Sequence, residues 1–593
     1  MSTHHRWFRS GSYSLLAHLD LPETQNALSG AVIVPPFGWE DVCSYRPLRA
    51  LASSLAQNGI PTLRFDLPGT GDSSGSALDS NLVASWIQSV EDAVSELTAA
   101  TGITRISVIG VRLGAMLALA ASRVKGDLVL WAASATGRAL LRELRAFRNM
   151  EATEHAADEV LPPPPVAGLE IAGFLLNPET QSALEALDTS NLPPMPGRRV
   201  LLLSRDDFPH DAKLVRSLEQ AGCALTARTG VGYTAMMGLP HEAVPPVESG
   251  EIIVEFLQAG IADNQNDLPS AKEAIPASSF EHGVIETICL LTTAAGTIFS
   301  ILTEPPAGSL RSDWCLLFLN SGGVRHIGSN RMWVEAARRW ATLGIPSLRM
   351  DFHKVGESDG DPNLSVESLY QDDLVQQLGS AIANLRMRLD SHRFLAIGLC
   401  SGAYAAFQGA LHNPAIRGAI LLNPRLFFWD PAVDQRRLNR RVVTGLGDAS
   451  DWLRLARGEI QPDRLKEAAR VVFQKLLRNG HSNNREPQIP REAMARAWST
   501  VERFGTRLTL VFAAGEPLLQ EMEEEGQLPP ATNPLIRCVR VQKVGHTFRS
   551  LWAQKQAQEI IDREIDLILH TDRPSDRPNF HLAQPFSSNF AGT

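Results

Sequence analysis

The sequence predicts two α/β domains in tandem, each built on a doubly wound, mostly parallel sheet. At 593 residues the chain is about twice as long as chains that form a single hydrophobic core. Its 44% hydrophobic and 20% charged residues are typical of a globular protein. Apolar strand-like runs alternate with helical patterns in both halves, which indicates parallel strands with helices on both faces.

Each half begins its core with an apolar run, at residues 31–34 (AVIV) and 315–319 (CLLFL). A loop of small residues follows each run, PPFGW in the first half and NSGGV in the second. Each loop leads into a helical pattern that ends at a glycine, Gly59 or Gly344, as many helices do. The two halves therefore begin with the same order of elements.

The two halves also match residue by residue. IPTLRFDLPGTGDSSG at 60–75 matches IPSLRMDFHKVGESDG at 345–360, and the strand and tight turn at 103–122 match those at 391–410. The offset is 285 from Asp66 to Asp351 and 288 from Gly110 to Gly398. A repeat of this length and constant register predicts a tandem duplication.

A polar stretch that contains Pro and Ser, at 261–281, indicates a linker between the halves. We therefore expect a first domain at 1–262, a linker at 263–282, a second domain at 283–572 and a tail at 573–593. Residues 6–20 and 284–303, which precede the first core strands, are expected to supply leading antiparallel strands.

Composition excludes several classes of protein. The net charge of −9, with no long basic run, gives no reason to expect a nucleic-acid partner. No apolar stretch is long enough to span a membrane and the N-terminus has no apolar signal region. The six cysteines are scattered without metal-like spacing, which favours a reduced, cytoplasmic protein without a metal or cofactor; they are Cys43, Cys223, Cys289, Cys315, Cys400 and Cys538.

The feature that carries chemistry is the turn Gly398-Leu399-Cys400-Ser401-Gly402. A strand that enters a helix through G-x-x-x-G forms a nucleophile elbow, where glycines permit the sharp turn and the middle residue is exposed. The helix N-terminus below Cys400 would favour a thiolate. The alternative is that Cys400 is merely a small buried apolar residue.

His546 and Glu516 are the candidate partners of Cys400. His546 lies in VGHTF, directly after an apolar strand, and Glu516 ends the preceding strand region LTLVFAAGE. His546 would act as the base and Glu516 as the acid that orients it. Weaker alternatives for the acid are Asp372, Asp373 and Asp430. The expected oxyanion donors are the backbone N–H of Ser401 and one from the loop 320–324, at Gly322 or Gly323.

The first half differs at each of these positions. Arg112 stands at the centre of its elbow and cannot be a nucleophile, and Tyr233 replaces the histidine. Asp206 or Asp207 retains a carboxylate near the acid position, so we expect an inactive domain in which Arg112 pairs with that carboxylate. The alternative is that Arg112 binds an anionic ligand.

These motifs resemble the α/β-hydrolase superfamily over residues 6–260 and 284–570. The pattern around LRFDLPGTGDSSG and LRMDFHKVGESDG is similar to the serine aminopeptidase-like and exosortase-associated hydrolases. The elbow cysteine resembles that of dienelactone hydrolases and of acyl-CoA thioesterases and bile-acid-CoA acyltransferases. The resemblance implies that Cys400 forms a thioester acyl-enzyme, that His546 is general base and acid, and that Glu516 orients it.

A helical cap is predicted at about 425–500, where 15 Lys and Arg against 9 Asp and Glu leave a net charge of +6. The cap is either a solvated face or a receptor for an anionic substrate, such as a coenzyme A thioester or an acyl-carrier protein. Phe427, Phe428 and Trp429 would line the acyl site. We therefore expect an acyl hydrolase or acyltransferase that favours small-molecule thioesters; the alternatives are a carboxylesterase or lactone hydrolase, and a scaffold without catalysis.

Overall fold

The computed structural model describes residues 1–23, 27, 29–153, 165–189, 192–206, 208–260, 275–294, 296–360, 367–370, 373–429, 489–529 and 532–571. We refer to residues 1–260 as the first half and to residues 275–571 as the second half. The tail, most of the predicted linker and most of the predicted cap lie outside the described residues.

The first half contains ten strands and eight α-helices among its described residues. The strands are β1 (Ser2–Ser10), β2 (Tyr13–Leu21), β3 (Gly30–Val34), β4 (Thr62–Phe65), β5 (Ile106–Val111), β6 (Leu128–Trp131), β7 (Leu169–Ile171), β8 (Phe174–Leu176), β9 (Arg199–Leu203) and β10 (Ala224–Arg228). The helices are α1 (Trp39–Gln57), α2 (Leu82–Thr101), α3 (Leu113–Ala120), α4 (Gly137–Thr153), α5 (Pro178–Ala186), α6 (Ala212–Gln220), α7 (Tyr233–Met236) and α8 (Val247–Gln258).

The second half has nine strands and six α-helices in its described part. The strands are β11 (Ala277–Ser279), β12 (Ile285–Thr293), β13 (Gly296–Glu304), β14 (Trp314–Phe318), β15 (Ser347–Met350), β16 (Arg393–Leu399), β17 (Ile416–Leu422), β18 (Arg507–Ala513) and β19 (Ile536–Val541). The helices are α9 (Met332–Thr342), α10 (Asp373–Arg388), α11 (Ser401–His412), α12 (Arg491–Phe504), α13 (Pro517–Glu524) and α14 (Leu551–Thr571). The short strand β11 falls within the last residues of the predicted linker.

The two large sheets have matching strand orders. The first is β1-β2-β4-β3-β5-β6-β9-β10 and the second is β11-β12-β13-β15-β14-β16-β17-β18-β19. Antiparallel strands, two in the first sheet and three in the second, lead into six parallel strands in each sheet, as the sequence predicts. The predicted fold class, a doubly wound, mostly parallel α/β sheet in each half, is confirmed.

The central strands are short apolar runs that are buried on both faces, as parallel strands between helix layers must be. All five residues of β3 and all five of β14 are buried. Separate apolar cores lie on the two faces of each sheet. No helix among the described residues has the length and apolarity to cross a membrane.

The seam between the halves is built symmetrically. Arg64 donates to both carboxylate oxygens of Glu357 at 2.9 and 3.0 Å, and Arg349 pairs with Asp72 in the opposite direction. Each arginine is 285 residues from its counterpart, and so is each acid (64 and 349, 72 and 357). The halves therefore meet like two subunits about a pseudo-twofold axis.

Candidate active site

Cys400 occupies the tight turn between β16 and α11. Its backbone has φ 57° and ψ −114°, a conformation that non-glycine residues rarely adopt. The turn requires a glycine at 402, since a Cβ there would lie 2.3 Å from the carbonyl oxygen of Asn320. The backbone thus lifts Cys400 to the carboxyl edge of the sheet, where ligands bind in this class of fold.

His546 and Glu516 lie side by side at the same edge. The Nδ1 atom of His546 is 2.9 and 3.0 Å from the two carboxylate oxygens of Glu516. Glu516 is buried and directly precedes α13. An acid in this position fixes the ring orientation of the histidine and stabilises its protonated form.

Cys400 and His546 shift each other's pKa. Burial raises the pKa of the Cys400 thiol, but the proximity and charge of His546, together with the charge of Arg425 and the N–H of Ser401, outweigh burial, so that the pKa falls below its usual value. Burial lowers the pKa of His546, whereas Cys400 and Glu516 raise it to about 9. His546 Nε2 is buried and makes no hydrogen bond of ordinary geometry, so the contact of Nδ1 with Glu516 is the side-chain hydrogen bond that positions this ring.

The expected oxyanion donors take different positions. The N–H of Ser401 lies at Cys400, where it helps to lower the thiol pKa. The N–H of Gly322 donates to the Ser401 hydroxyl at 2.8 Å, so a substrate oxygen would have to replace that hydroxyl. Gly323 instead packs against Pro240 and His241 of the first half. Ser401 and Gly322 are thus the two donors close to the elbow.

Two positioning residues escaped the sequence prediction. Asn423 directly follows β17 and donates from Nδ2 to the carbonyl of His546 at 2.7 Å, while its Oδ1 accepts from the N–H of Ala513 at 2.7 Å. Arg425 is one of the charges that lower the pKa of Cys400. An asparagine at the end of the strand next to the elbow strand was the available signal for Asn423.

The three aromatic residues predicted to line an acyl site do not share one environment. Phe427 is buried and packs against Phe407 and Trp498 in the core. Phe428 meets the edge of Phe407, and Trp429 stacks on Tyr370 with 5.0 Å between ring centroids. Phe427 is therefore a core residue, while Phe428 and Trp429 are half-buried. Of the alternative acids, Asp372 and Asp430 lie outside the described residues.

The first half retains an elbow of the same shape but fills it differently. Arg112 has φ 55° and ψ −116°, and it pairs with Glu40 and Glu143, each at 2.9 Å. The prediction that Arg112 pairs with Asp206 is wrong, because Asp206 accepts hydrogen bonds from the backbone N–H groups of Gly232 and Thr234 at 2.6 and 2.7 Å. Asp207, the other acid named from the sequence, lies outside the described residues.

Tyr233, at the position of the missing histidine, is buried against Trp131. Burial, and next the charge of Glu40, raise the pKa of its hydroxyl well above the usual value. A neutral phenol beside a paired arginine provides neither a base nor a nucleophile at this elbow.

One cluster in the described residues has the donor types of a metal site, namely His5, His18 and Glu357. The two Nδ1 atoms of the histidines are 2.7 Å apart. However, Glu357 already accepts both hydrogen bonds of Arg64, and Arg49 lies 3.8 Å away. Two guanidinium groups on the only carboxylate ligand oppose a cation there, so these residues fit a hydrogen-bonded seam better than a metal.

Comparison with known proteins agrees with this fold. Residues 31–255 match the model of the alpha/beta hydrolase family, and the strand orders of both sheets, with helices on both faces, define the α/β-hydrolase fold. The match falls on the half whose elbow carries Arg112. A search of curated proteins gives no match.

Several solved structures are similar to part of the chain. Est1E from Butyrivibrio proteoclasticus, with bound ferulic acid, is 17% identical with a TM-score of 0.32, over 43% of this chain and 98% of that one. A hypothetical protein from Pseudomonas aeruginosa is 18% identical with a TM-score of 0.31, over 44% and 94%. An esterase from Pyrococcus furiosus is 16% identical with a TM-score of 0.30, over 47% and 90%. Likenesses this weak say nothing about the substrate of this chain.

Proposed function

We propose that the second half is an acyl hydrolase or acyltransferase that works through Cys400, His546 and Glu516, with thioesters as the favoured substrates. The observation that carries the proposal is the Glu516–His546 hydrogen bond beside an elbow cysteine of lowered pKa. Cys400, Glu516 and His546 each follow a different strand, and their chain order of nucleophile, acid and base is the order typical of this fold. The matching sheet orders support the related proposal that the chain arose by duplication.

The proposed chemistry follows from the charge state of Cys400 and His546. The Cys400 thiolate attacks the acyl carbonyl carbon, and the N–H groups at Ser401 and Gly322 stabilise the oxyanion. The carbon–sulfur bond to the leaving group breaks, and the imidazolium of His546 protonates the departing thiolate, which leaves as a thiol. His546 then takes a proton from water or an amine, which attacks the acyl-enzyme and releases Cys400.

A thioester substrate suits a cysteine nucleophile, because one thioester is exchanged for another at nearly equal energy. The positive charge of Arg425 near Cys400 and the net charge of +6 in residues 425–500 (15 against 9) also favour an anionic carrier group on the substrate. A carboxylesterase or lactone hydrolase would use the same three residues but would prefer an oxygen leaving group.

Intact-protein mass spectrometry after exposure to acyl-CoA, acyl-carrier-protein and aryl-ester compounds tests the proposal. We expect an acyl adduct on the native protein that Cys400→Ala abolishes. Cys538→Ala is the matched control, because Cys538 is an exposed free thiol outside the site and its loss should leave the adduct intact. An adduct that persists in Cys400→Ala, or no adduct and no turnover with any compound, would favour the scaffold alternative.

A further inference from the structure

The loop from Asn320 to His326, which we call the oxyanion loop, is fixed at both ends by one carboxylate. Asn320 donates from Nδ2 to Asp351 Oδ1 at 3.0 Å, and His326 Nδ1 lies 2.8 Å from Asp351 Oδ2. Between these ends, Gly322 points its N–H toward the elbow. Any movement of Asn320 or His326 therefore moves the Gly322 donor.

The first half holds the far end of the oxyanion loop. His326 Nε2 lies 2.8 Å from Asp72 Oδ2, and Arg325 donates to the two oxygens of Asp66 at 2.7 and 3.2 Å. All four side chains are buried. Both carboxylates belong to the first half, and they meet two successive residues of the oxyanion loop.

The charges in this cluster are matched across the seam. Burial lowers the pKa of His326, but Asp72 and Asp351 on either side raise it to about 9. The imidazolium then donates one N–H to each carboxylate. If Asp72 lost its charge, the charged partner left beside His326 would be Asp351, which belongs to the second half itself.

The first half also packs on the middle of the oxyanion loop. A Cβ added to Gly323 would come within 2.8 Å of the backbone nitrogen of His241. Burial lowers the pKa of His241 and the charge of Arg425 lowers it further, and the same charge lowers the pKa of Cys400, so His241 and Cys400 share one charged neighbour. The oxyanion loop thus lies between its own elbow and the first half.

We propose that the first half serves the second-half site by holding the oxyanion loop in register with the Cys400 elbow, with Asp66 and Asp72 as positioning residues. This inference rests on the proposed acyl-transfer function of Cys400. It gives a defined role to the half that lacks a nucleophile, because its carboxylates fix where the oxyanion donor stands relative to the nucleophile.

The pseudo-twofold seam offers a matched control. Glu357 occupies the repeat position of Asp72 and is equally buried at the seam, but its side chain pairs with Arg64 and accepts from Tyr45 at 2.7 Å. Neither partner belongs to the oxyanion loop. Glu357→Gln therefore weakens the seam as Asp72→Asn does, without releasing His326.

The experiment compares Asp72→Asn, Asp66→Asn and Glu357→Gln in the full chain. We measure kcat and KM on an acyl substrate that gives the Cys400 adduct, the rate of Cys400 alkylation by iodoacetamide, and the melting temperature. For the two aspartate variants we expect kcat to fall at least about tenfold, with alkylation unchanged because alkylation requires no oxyanion donor. Glu357→Gln should lower the melting temperature to a similar extent and leave kcat unchanged.

Equal kcat in Asp72→Asn, Asp66→Asn and the native protein would overturn the inference, as would an equal loss in Glu357→Gln. Asp66→Asn leaves the His326 and Arg349 partners in place, so it decides the matter if Asp72→Asn does not fold. Failure of the proposed function gives a different result, because the native protein would then form no Cys400 adduct with any acyl compound.

Discussion

The two elbows of this chain have nearly the same backbone and opposite chemistry. Arg112 and Cys400 differ by only 2° in φ (55° and 57°) and 2° in ψ (−116° and −114°). The last glycine of each elbow turn is also fixed by the fold, since a Cβ on Gly114 or Gly402 would lie 2.3 Å from a carbonyl oxygen. Yet one elbow presents a thiol of lowered pKa and the other a guanidinium held by two carboxylates.

The strained turn is therefore a property of the fold, and the reaction depends on which side chains surround it. The first half retains the strain although no nucleophile stands there. A half whose elbow carries an arginine can therefore keep the same backbone turn. Substitutions at equivalent positions in the two halves should accordingly have very different effects.

The largest expected difference is between Cys400→Ala and Arg112→Ala. Loss of the nucleophile should lower kcat by about 10⁴-fold or more, because no other described thiol is held at this elbow. Arg112→Ala should leave kcat unchanged, since the guanidinium pairs with two carboxylates of the first half. Turnover of the acyl substrate by both variants checks this, and a comparable loss in Arg112→Ala would mean that the first elbow contributes to catalysis.

The second difference concerns the acids, Glu516 and Asp206. Glu516→Gln should lower kcat by about 10²-fold, because a neutral amide stabilises the imidazolium less well. Asp206→Asn should not change kcat, because Asp206 accepts hydrogen bonds from backbone N–H groups near Tyr233.

A pH profile of kcat/KM in the same variants sharpens this test. In the native protein the active thiolate–imidazolium pair forms as Cys400 deprotonates below the usual thiol pKa, and it is lost as His546 deprotonates near pH 9. Glu516→Gln should move the alkaline limb to lower pH, because Glu516 helps to raise the pKa of His546. If the alkaline limb stays at the same pH in Glu516→Gln, Glu516 does not raise the pKa of His546.

Much of this could be predicted from the sequence, for local reasons. The strands are short apolar runs, the elbow is a five-residue glycine pattern, and Cys400, His546 and Glu516 each follow a strand end. The partners of Arg112 could not be predicted, because Glu40 and Glu143 come from separate helices and only the packing of those helices selects them over Asp206. Asp66 and Asp72 likewise sit in the repeated motif as ordinary turn residues, and their partners in the other half depend on how the sheets dock.

The next smaller effect concerns the stability that His326 contributes at the seam between the halves. His326 has a folded pKa of about 9, above the usual value of about 6.5, so its charge stabilises the fold fully below pH 6.5. That contribution is lost as the pH rises through 9, and it amounts to roughly 3 kcal/mol. Denaturant unfolding of the native protein and of His326→Gln is measured from pH 6 to 10. The difference between their free energies of unfolding should shrink by that amount as the pH rises. A difference that stays constant would contradict a protonated His326.

The smallest effect should come from Arg112→Met, the substitution that removes the charge from the first elbow while keeping an unbranched apolar stem. Arg112 is buried, but Glu40 and Glu143 keep 26% and 40% of their side chains exposed. Water can therefore solvate both carboxylates once the arginine is gone, and the usual penalty for an unpaired buried charge does not arise. The methionine also avoids the cost of burying a guanidinium. The free energy of unfolding should change by less than about 1 kcal/mol, whereas a loss of several kcal/mol in urea unfolding would show that the Arg112 cluster is the element that holds this elbow in its strained turn.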